Sequence, residues 1–207
     1  PPRSTPVTPR RQLQMCIRDR IESGGVPARF AAVDAATLLR DALELYEAVA
    51  EQKGLSTRLQ ISSSKPIWGD RDLLFQAIAN LLDNAIKNTP PGGLVSLGFR
   101  QLHGGLELSV SDTGPGIPAS QRDKVVQRFF RLERSRTTPG SGLGLSLVAA
   151  IARHHHAALL LQDNEPGLDA VLRFPVYPGY SAIGQDKVET SPVEKTIFLQ
   201  PERPANG

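Results

Sequence analysis

The chain has 207 residues, 40% of them hydrophobic, with 24 basic side chains against 21 acidic ones and a formal net charge of +3. Five of the basic residues and one acidic residue fall within residues 1–20, so the rest carries 19 against 20 and a nucleic-acid-binding reading has little support. No apolar run is long enough to span a bilayer.

Residues 14–20 (QMCIRDR) match the translation of a transposase adapter used in sequencing libraries. Residues 1–20 are therefore expected to be an artefactual leader, with a genuine Pro/Arg-rich linker as the alternative, and authentic protein to begin near Ile21. The sole methionine, Met15, and the sole cysteine, Cys16, both lie in this stretch and say nothing about redox compartment or metal binding.

Residues 35–52 read as an amphipathic helix burying Leu38, Leu39, Ala42, Leu45, Tyr46 and Val49. A short strand is predicted over 58–62. Trp68 is expected to pack at the entrance of the next helix, with Asp70 or Asp72 as a favourable N-terminal charge. That helix, 70–89, places Leu74, Ile78, Leu81, Leu82 and Ala85 at helical spacing. Gln76, Asn80, Asn84 and Lys87 form a second stripe. Such a stripe is either a solvated face or an oxygen ligand for a hard cation with a phosphate-binding cation one turn on. Mg2+ prefers oxygen ligands and is commonly shared with substrate phosphates.

Two strands, 95–102 and 106–112, join at His103-Gly104-Gly105. Leu106, Leu108 and Val110 alternate along the second, which runs into 112–118 (DTGPGIP). A strand ending in a carboxylate and a glycine loop suits a polar ligand, because glycine permits close approach and unusual backbone conformations. A polar, irregular stretch follows, with Glu133, Arg134, Ser135 and Arg136 on its surface. Residues 138–145 (TPGSGLGL) open an apolar helix reaching His154, with Ser141 as a candidate N-cap. Free N–H groups at a glycine-flanked helix start can cradle phosphate. A Rossmann loop is disfavoured because no strand leads directly into these glycines, and the Walker lysine pattern is absent. Strands at 158–162 and 170–174 flank a turn at 164–167 (NEPG).

In this order the motifs resemble those of the ATP-binding domain of bacterial sensor histidine kinases, within the superfamily of gyrase, heat-shock chaperone and mismatch-repair ATPases. The matching segments are 80–85 (NLLDNA, the N box), 112–117 (DTGPGI, the first glycine box), 128–131 (RFFR, the F box) and 140–145 (GSGLGL, the second glycine box). The resemblance covers roughly residues 30–175, enough for one core. It implies an α+β, two-layer sandwich: a mixed sheet of about five strands, three helices on one face, and a flexible ATP lid over 117–140. It makes 21–29 the remnant of a linker from a dimerisation domain. Residues 176–207, with Pro178, Pro192, Pro201 and Pro204, are expected to be a mostly disordered tail.

The resemblance also implies roles. Asn84 would hold Mg2+, Asn80 would support the metal or phosphate region, and Lys87 would meet the phosphates. Asp112 would accept a hydrogen bond from the exocyclic amine of adenine in ATP, with Gly114, Gly116 and Ile117 shaping that pocket. Arg128 and Arg131 would lie beside the phosphates or the histidine-bearing helix. Gly140, Gly142, Leu143, Gly144 and Leu145 would close over the triphosphate. Asn80, Lys87, Arg128 and Arg131 would serve the transfer, by positioning and charge neutralisation.

The acceptor in this family is a histidine followed by an acidic residue in a helical hairpin. His103, His154, His155 and His156 have no such neighbour. His155 matches a family histidine at this helix end, and His156 stands where a glycine is common. A metal held by the three-histidine run is disfavoured, because consecutive helical residues do not face one way. The acceptor is therefore expected on a dimerisation domain outside this sequence, with a response regulator as the next recipient and a homodimeric parent. The resemblance implies a cytoplasmic domain whose parent is anchored in the inner membrane. The alternatives are a free-standing nucleotide-binding module, an anti-sigma-factor-like serine kinase of the same fold, or a degenerate nucleotide sensor, against which the intact boxes argue.

Overall fold

The computed structural model describes residues 16, 17, 19, 21, 29–102, 104–127, 130, 143–175 and 197–198. Chain order gives β1 (Ala31–Val33), α1 (Ala35–Gln52), β2 (Ser56–Ile61), β3 (Ile67–Gly69), α2 (Arg71–Asn88), β4 (Leu94–Leu102), β5 (Gly105–Asp112), α3 (Ala119–Val125), α4 (Gly144–His154), β6 (Ala158–Asp163), β7 (Leu168–Pro175) and β8 (Ile197–Phe198).

The helix ends follow from side-chain chemistry. Asp34 caps α1 by accepting from the amides of Ala36 and Thr37, and the Thr37 hydroxyl, chief among its hydrogen bonds, holds its carboxyl below the usual range. Asp70 does the same for α2, accepting from Asp72 and Leu73. The predicted N-terminal charge is thus an N-cap. Helix α1 ends in a Schellman turn: Leu55 N–H reaches Ala50 O, and Gly54 N–H reaches Glu51 O. Helix α4 ends the same way, through Ala157 to Ala152 and His156 to Arg153. His156 occupies the left-handed position, at φ 52°, where glycine is the easier residue.

The main sheet has the order β6-β7-β5-β4-β2-β8. β2 and β4 are parallel, joined through α2, and every other pair is antiparallel. Helices α1, α2 and α4 cover one face: α1 packs on β2, α2 on β4 and β5, and α4 on β6. Between the layers lie Leu38, Leu39, Leu74, Ile78, Leu82, Leu97, Phe99, Leu108, Leu147 and Ile151, each fully buried. The expected α+β sandwich of a five-strand mixed sheet and three covering helices is therefore present, with the two-residue β8 added at the β2 edge. Among the described residues no helix is long and apolar enough to cross a membrane.

Three local expectations change. Residues 31–33 and 67–69 form a separate two-stranded ribbon, which puts Trp68 opposite Ala32 at 37% exposure. A short helix, α3, occupies part of the stretch read as irregular; seven residues are too few for periodicity to show. On α1 the buried stripe moves to Leu43 and Ala50 in the later turns, leaving Leu45 and Val49 exposed. Periodicity groups residues on a face but does not say what lies opposite.

The sheet's other face is polar but ordered. Glu107, 2% exposed, accepts paired hydrogen bonds from Arg100 on β4 and Arg173 on β7. Burial alone would raise its carboxyl; the two guanidinium groups outweigh that and hold it below the usual range.

Candidate functional site

Helix α2 is the floor of the site. Its apolar stripe (Leu74, Ala77, Ile78, Leu81, Leu82, Ala85) is buried, which fixes the direction of the amide stripe. Asn80 is buried, and its Nδ2 donates to Gln76 O at 2.7 Å. That bond orients the amide. The first residue of α4, Gly144, lies directly against the pair. A Cβ built on it would sit 3.3 Å from Asn84 Nδ2, 3.6 Å from Asn84 Oδ1 and 3.6 Å from Asn80 Oδ1. Thus the N box and the last glycine of the second glycine box, some 60 residues apart, meet in one place. The N-cap position of α4 is Leu143, with no side-chain cap, so its first-turn amides are not taken by a side chain of that residue. Ser146 Oγ donates back to Leu143 O, and Leu143 is buried while Leu145 is half-buried.

The first glycine box lies at the C-terminal end of the same helix. Asp112 is 6% exposed, and its Oδ1 accepts from the Gly114 amide at 2.8 Å. A Cβ at Gly114 would come within 2.9 Å of Asn88 O, the last residue of α2. Asn84 and Asn88 are one turn apart, about 6 Å along the axis. The loop that Asp112 begins and the amide pair therefore lie at neighbouring stations along α2. Burial pushes the Asp112 carboxyl above its usual range, and amide hydrogen bonds from Gly114 and Leu168 only partly offset this. A buried anion in this state gains from one more hydrogen-bond donor.

Other predicted residues fall less simply. Lys87 forms an i,i+4 ion pair with Asp83 at 2.6 Å, within α2. Gly116 has φ 65°, and Ile117 O accepts from Arg122 Nε at 3.0 Å. Arg128, Arg131, Ser141, Gly140 and Gly142 lie outside the described residues.

Four supporting residues were not singled out for such roles from sequence. Lys53 Nζ donates to Ile86 O and Lys87 O, closing the C-terminal end of α2; burial lowers its ammonium below the usual range. Asn164 Nδ2 donates to Asp112 O at 2.8 Å. Arg122 ties α3 to Ile117 and lies 3.6 Å from Asp163. His155, fully buried, joins the far ends of α4 and α2: its Nδ1 bonds Ile151 O at 2.8 Å and its Nε2 accepts from the Asp70 amide at 3.0 Å. Phe30 stacks on the ring at 5.0 Å.

That geometry needs a neutral imidazole, and burial pushes the His155 pKa down from its ordinary value. The unfolded chain takes up a proton near pH 6.5, whereas the folded one resists it. The contribution of His155 to stability is complete above that pH and is lost as pH falls through the window below it. Thermal melts are expected to drop from pH 7 toward pH 5, with a shallower slope in a His155→Gln chain. Parallel slopes would show that His155 does not titrate in the unfolded chain alone.

A helix-start glycine packed on paired asparagines, with a buried aspartate at the end of a neighbouring strand, in an α+β sandwich, defines a class of nucleotide-binding domain. Residues 69–178 match the family model described as histidine kinase-, DNA gyrase B-, and HSP90-like ATPase. The chain belongs to this family. It is 38% identical over 146 residues to the adaptive-response sensory kinase SasA of Synechocystis, covering 69% of this chain and 38% of that protein. The structure of the mycobacterial sensor histidine kinase MprB matches at TM-score 0.60 and 33% identity, covering 70% of this chain and 97% of that one. Full-length ShkA, solved in complex with AMPPNP, matches at TM-score 0.69 and 28% identity over 78% of this chain and 34% of that chain. The chain thus spans about two fifths or less of the curated kinases it matches.

Proposed function

We propose that the chain is the ATP-binding, phosphoryl-donating portion of a two-component sensor histidine kinase. Mg2+ would be held by Asn84, with Asn80 supporting it, and adenine would be read by Asp112. The observation that carries the reading is the packing of Gly144 on both asparagine amides, one helical turn from the loop that holds Asp112. Amide oxygens suit a hard cation without repelling a polyphosphate. When bound, Mg2+ supplies charge neutralisation on the phosphates. The protein's part is to orient: Asn80 is locked by Gln76, the first-turn amides of α4 would face the phosphates, and the buried Asp112 carboxylate would accept from the adenine amine. The AMPPNP complex of ShkA is consistent with a nucleotide in this fold.

The acceptor would be a histidine on a dimerisation domain not contained in these residues, and the phosphoryl group would pass on to a response regulator. The parent would be a homodimer anchored in the inner membrane with this domain in the cytoplasm. Residues 30–175 would be the kinase domain, residues 1–20 an adapter-derived leader, 21–29 linker and 176–207 a tail. Lys87 would meet the phosphates from α2, Arg128 and Arg131 would lie beside the phosphates or the histidine-bearing helix, and Gly140, Gly142, Leu143, Gly144 and Leu145 would close over the triphosphate.

Asp112→Asn is expected to weaken ATP by about 10- to 100-fold, the scale of a hydrogen bond to a charged group, while leaving GTP affinity unchanged. Competition binding of the two nucleotides to both chains checks this. Equal affinity for ATP and GTP in the parent chain would refute the adenine assignment.

A further inference from the structure

The pairing of β5 with β7 ends at Ser111 opposite Asp169, so the carbonyl of Asp112 lies just beyond the ladder on that side. On the other side, Thr113 N–H continues to Leu94 O and the Thr113 hydroxyl accepts from the Leu94 amide. What replaces the missing partner is the turn between β6 and β7. Asn164 Nδ2 donates to the Asp112 carbonyl, while the Asn164 backbone amide donates to Gly167 O and closes the turn. The next residue, Leu168, donates its amide to the Asp112 carboxylate. Gly167 packs so closely that a Cβ there would lie 1.8 Å from Asp112 O, and a Cβ on Gly116 would lie 2.6 Å from Gly167 O. The turn thus touches both ends of the loop that Asp112 begins.

We propose that the β6–β7 turn sets the orientation of Asp112 and that Asn164 is a positioning residue for selectivity toward purines bearing a 6-amino group. This rests on the reading of Asp112 as the acceptor for adenine. A side-chain amide clamped on the Asp112 carbonyl fixes the peptide from which the carboxylate projects. Loosening that peptide lets the carboxylate swing, and a single directional hydrogen bond is lost before the wider pocket is affected. Asn164 itself touches no ligand in this account.

The test uses the full chain, titrated with ATP and with purine riboside triphosphate, which lacks the 6-amino group. Asn164→Ala is expected to lose about five- to tenfold in ATP affinity, as for one neutral hydrogen bond, and less than about twofold for the analogue. Melting curves establish that the variant is folded. Should it not fold, Asn164→Ser, which keeps a shorter hydroxyl donor, is expected to show the same pattern on a smaller scale. Equal losses for both nucleotides, or no loss for either, would overturn the inference. A parent chain that binds both nucleotides equally would overturn the Asp112 reading, and this inference with it.

Discussion

An Asn84→Ala chain is expected to lose Mg2+-dependent ATP affinity by at least about 100-fold while melting no lower than the parent. Loss of outer-sphere partners alone costs metal sites about 10- to 100-fold, and Asn84 is assigned to the inner sphere. Its side chain is half-buried on the amide stripe and lies against Gly144, away from the apolar stripe that holds α2 to the sheet. Alanine is the better helix former by roughly 0.5 kcal/mol, so the fold is expected to gain slightly where the function is lost. Calorimetric titration with Mg2+ and with chelator separates the two effects. Unchanged Mg2+ dependence in the variant would remove Asn84 from the metal.

Gly167→Ala is expected to be damaging through the opposite route, by failing structurally. Gly167 has φ 120°, outside the range that side-chain-bearing residues adopt with ease. Its Cβ would overlap the Asp112 carbonyl oxygen at 1.8 Å, the Asp112 carbonyl carbon at 2.6 Å and Thr113 Cα at 3.0 Å. Every one of these is backbone, so no side chain can rotate away. Either the turn withdraws, breaking the Asn164 and Leu168 bonds, or the loop moves and takes Asp112 with it. A cost of about 3 kcal/mol or more follows from combined strain and lost hydrogen bonds, about 10 °C in melting temperature for a domain of this size. ATP affinity is expected to fall with it. A variant that melts and binds like the parent would mean that the turn is not rigidly seated against Asp112.

How much of this was legible in the sequence depended on distance along the chain. The Asn80 and Asn84 stripe, the Asp112 loop and the glycines before Leu145 are local patterns, and their chemistry can be read from a few adjacent residues. The two-layer sandwich followed from the order of such segments. What joins them was not legible: Lys53 reaches Ile86 across 33 residues, Asn164 reaches Asp112 across 52, and His155 reaches Asp70 across 85. Each is a polar side chain meeting a backbone group, and no periodicity encodes such a meeting. Residues 164–167 read simply as a turn; that the turn clamps Asp112 depends on the β5–β7 register, which sequence leaves open. Lys87 shows the converse. Its place on the polar stripe was plain, yet Asp83 one turn back is its ion-pair partner in the structure. Leu45 and Val49 fit the helical period and remain exposed, because the period does not say where α1 ceases to be covered.

In the proposed function the amide pair on α2 and the loop at Asp112 belong to one Mg2+–ATP site. The most direct measurement is a calorimetric titration of the full chain with ATP, with Mg2+ present and then with the metal chelated. The predicted result is saturable binding of one nucleotide per chain that weakens markedly on chelation. A folded chain that shows no saturable binding, or binds ATP equally with and without Mg2+, would contradict it.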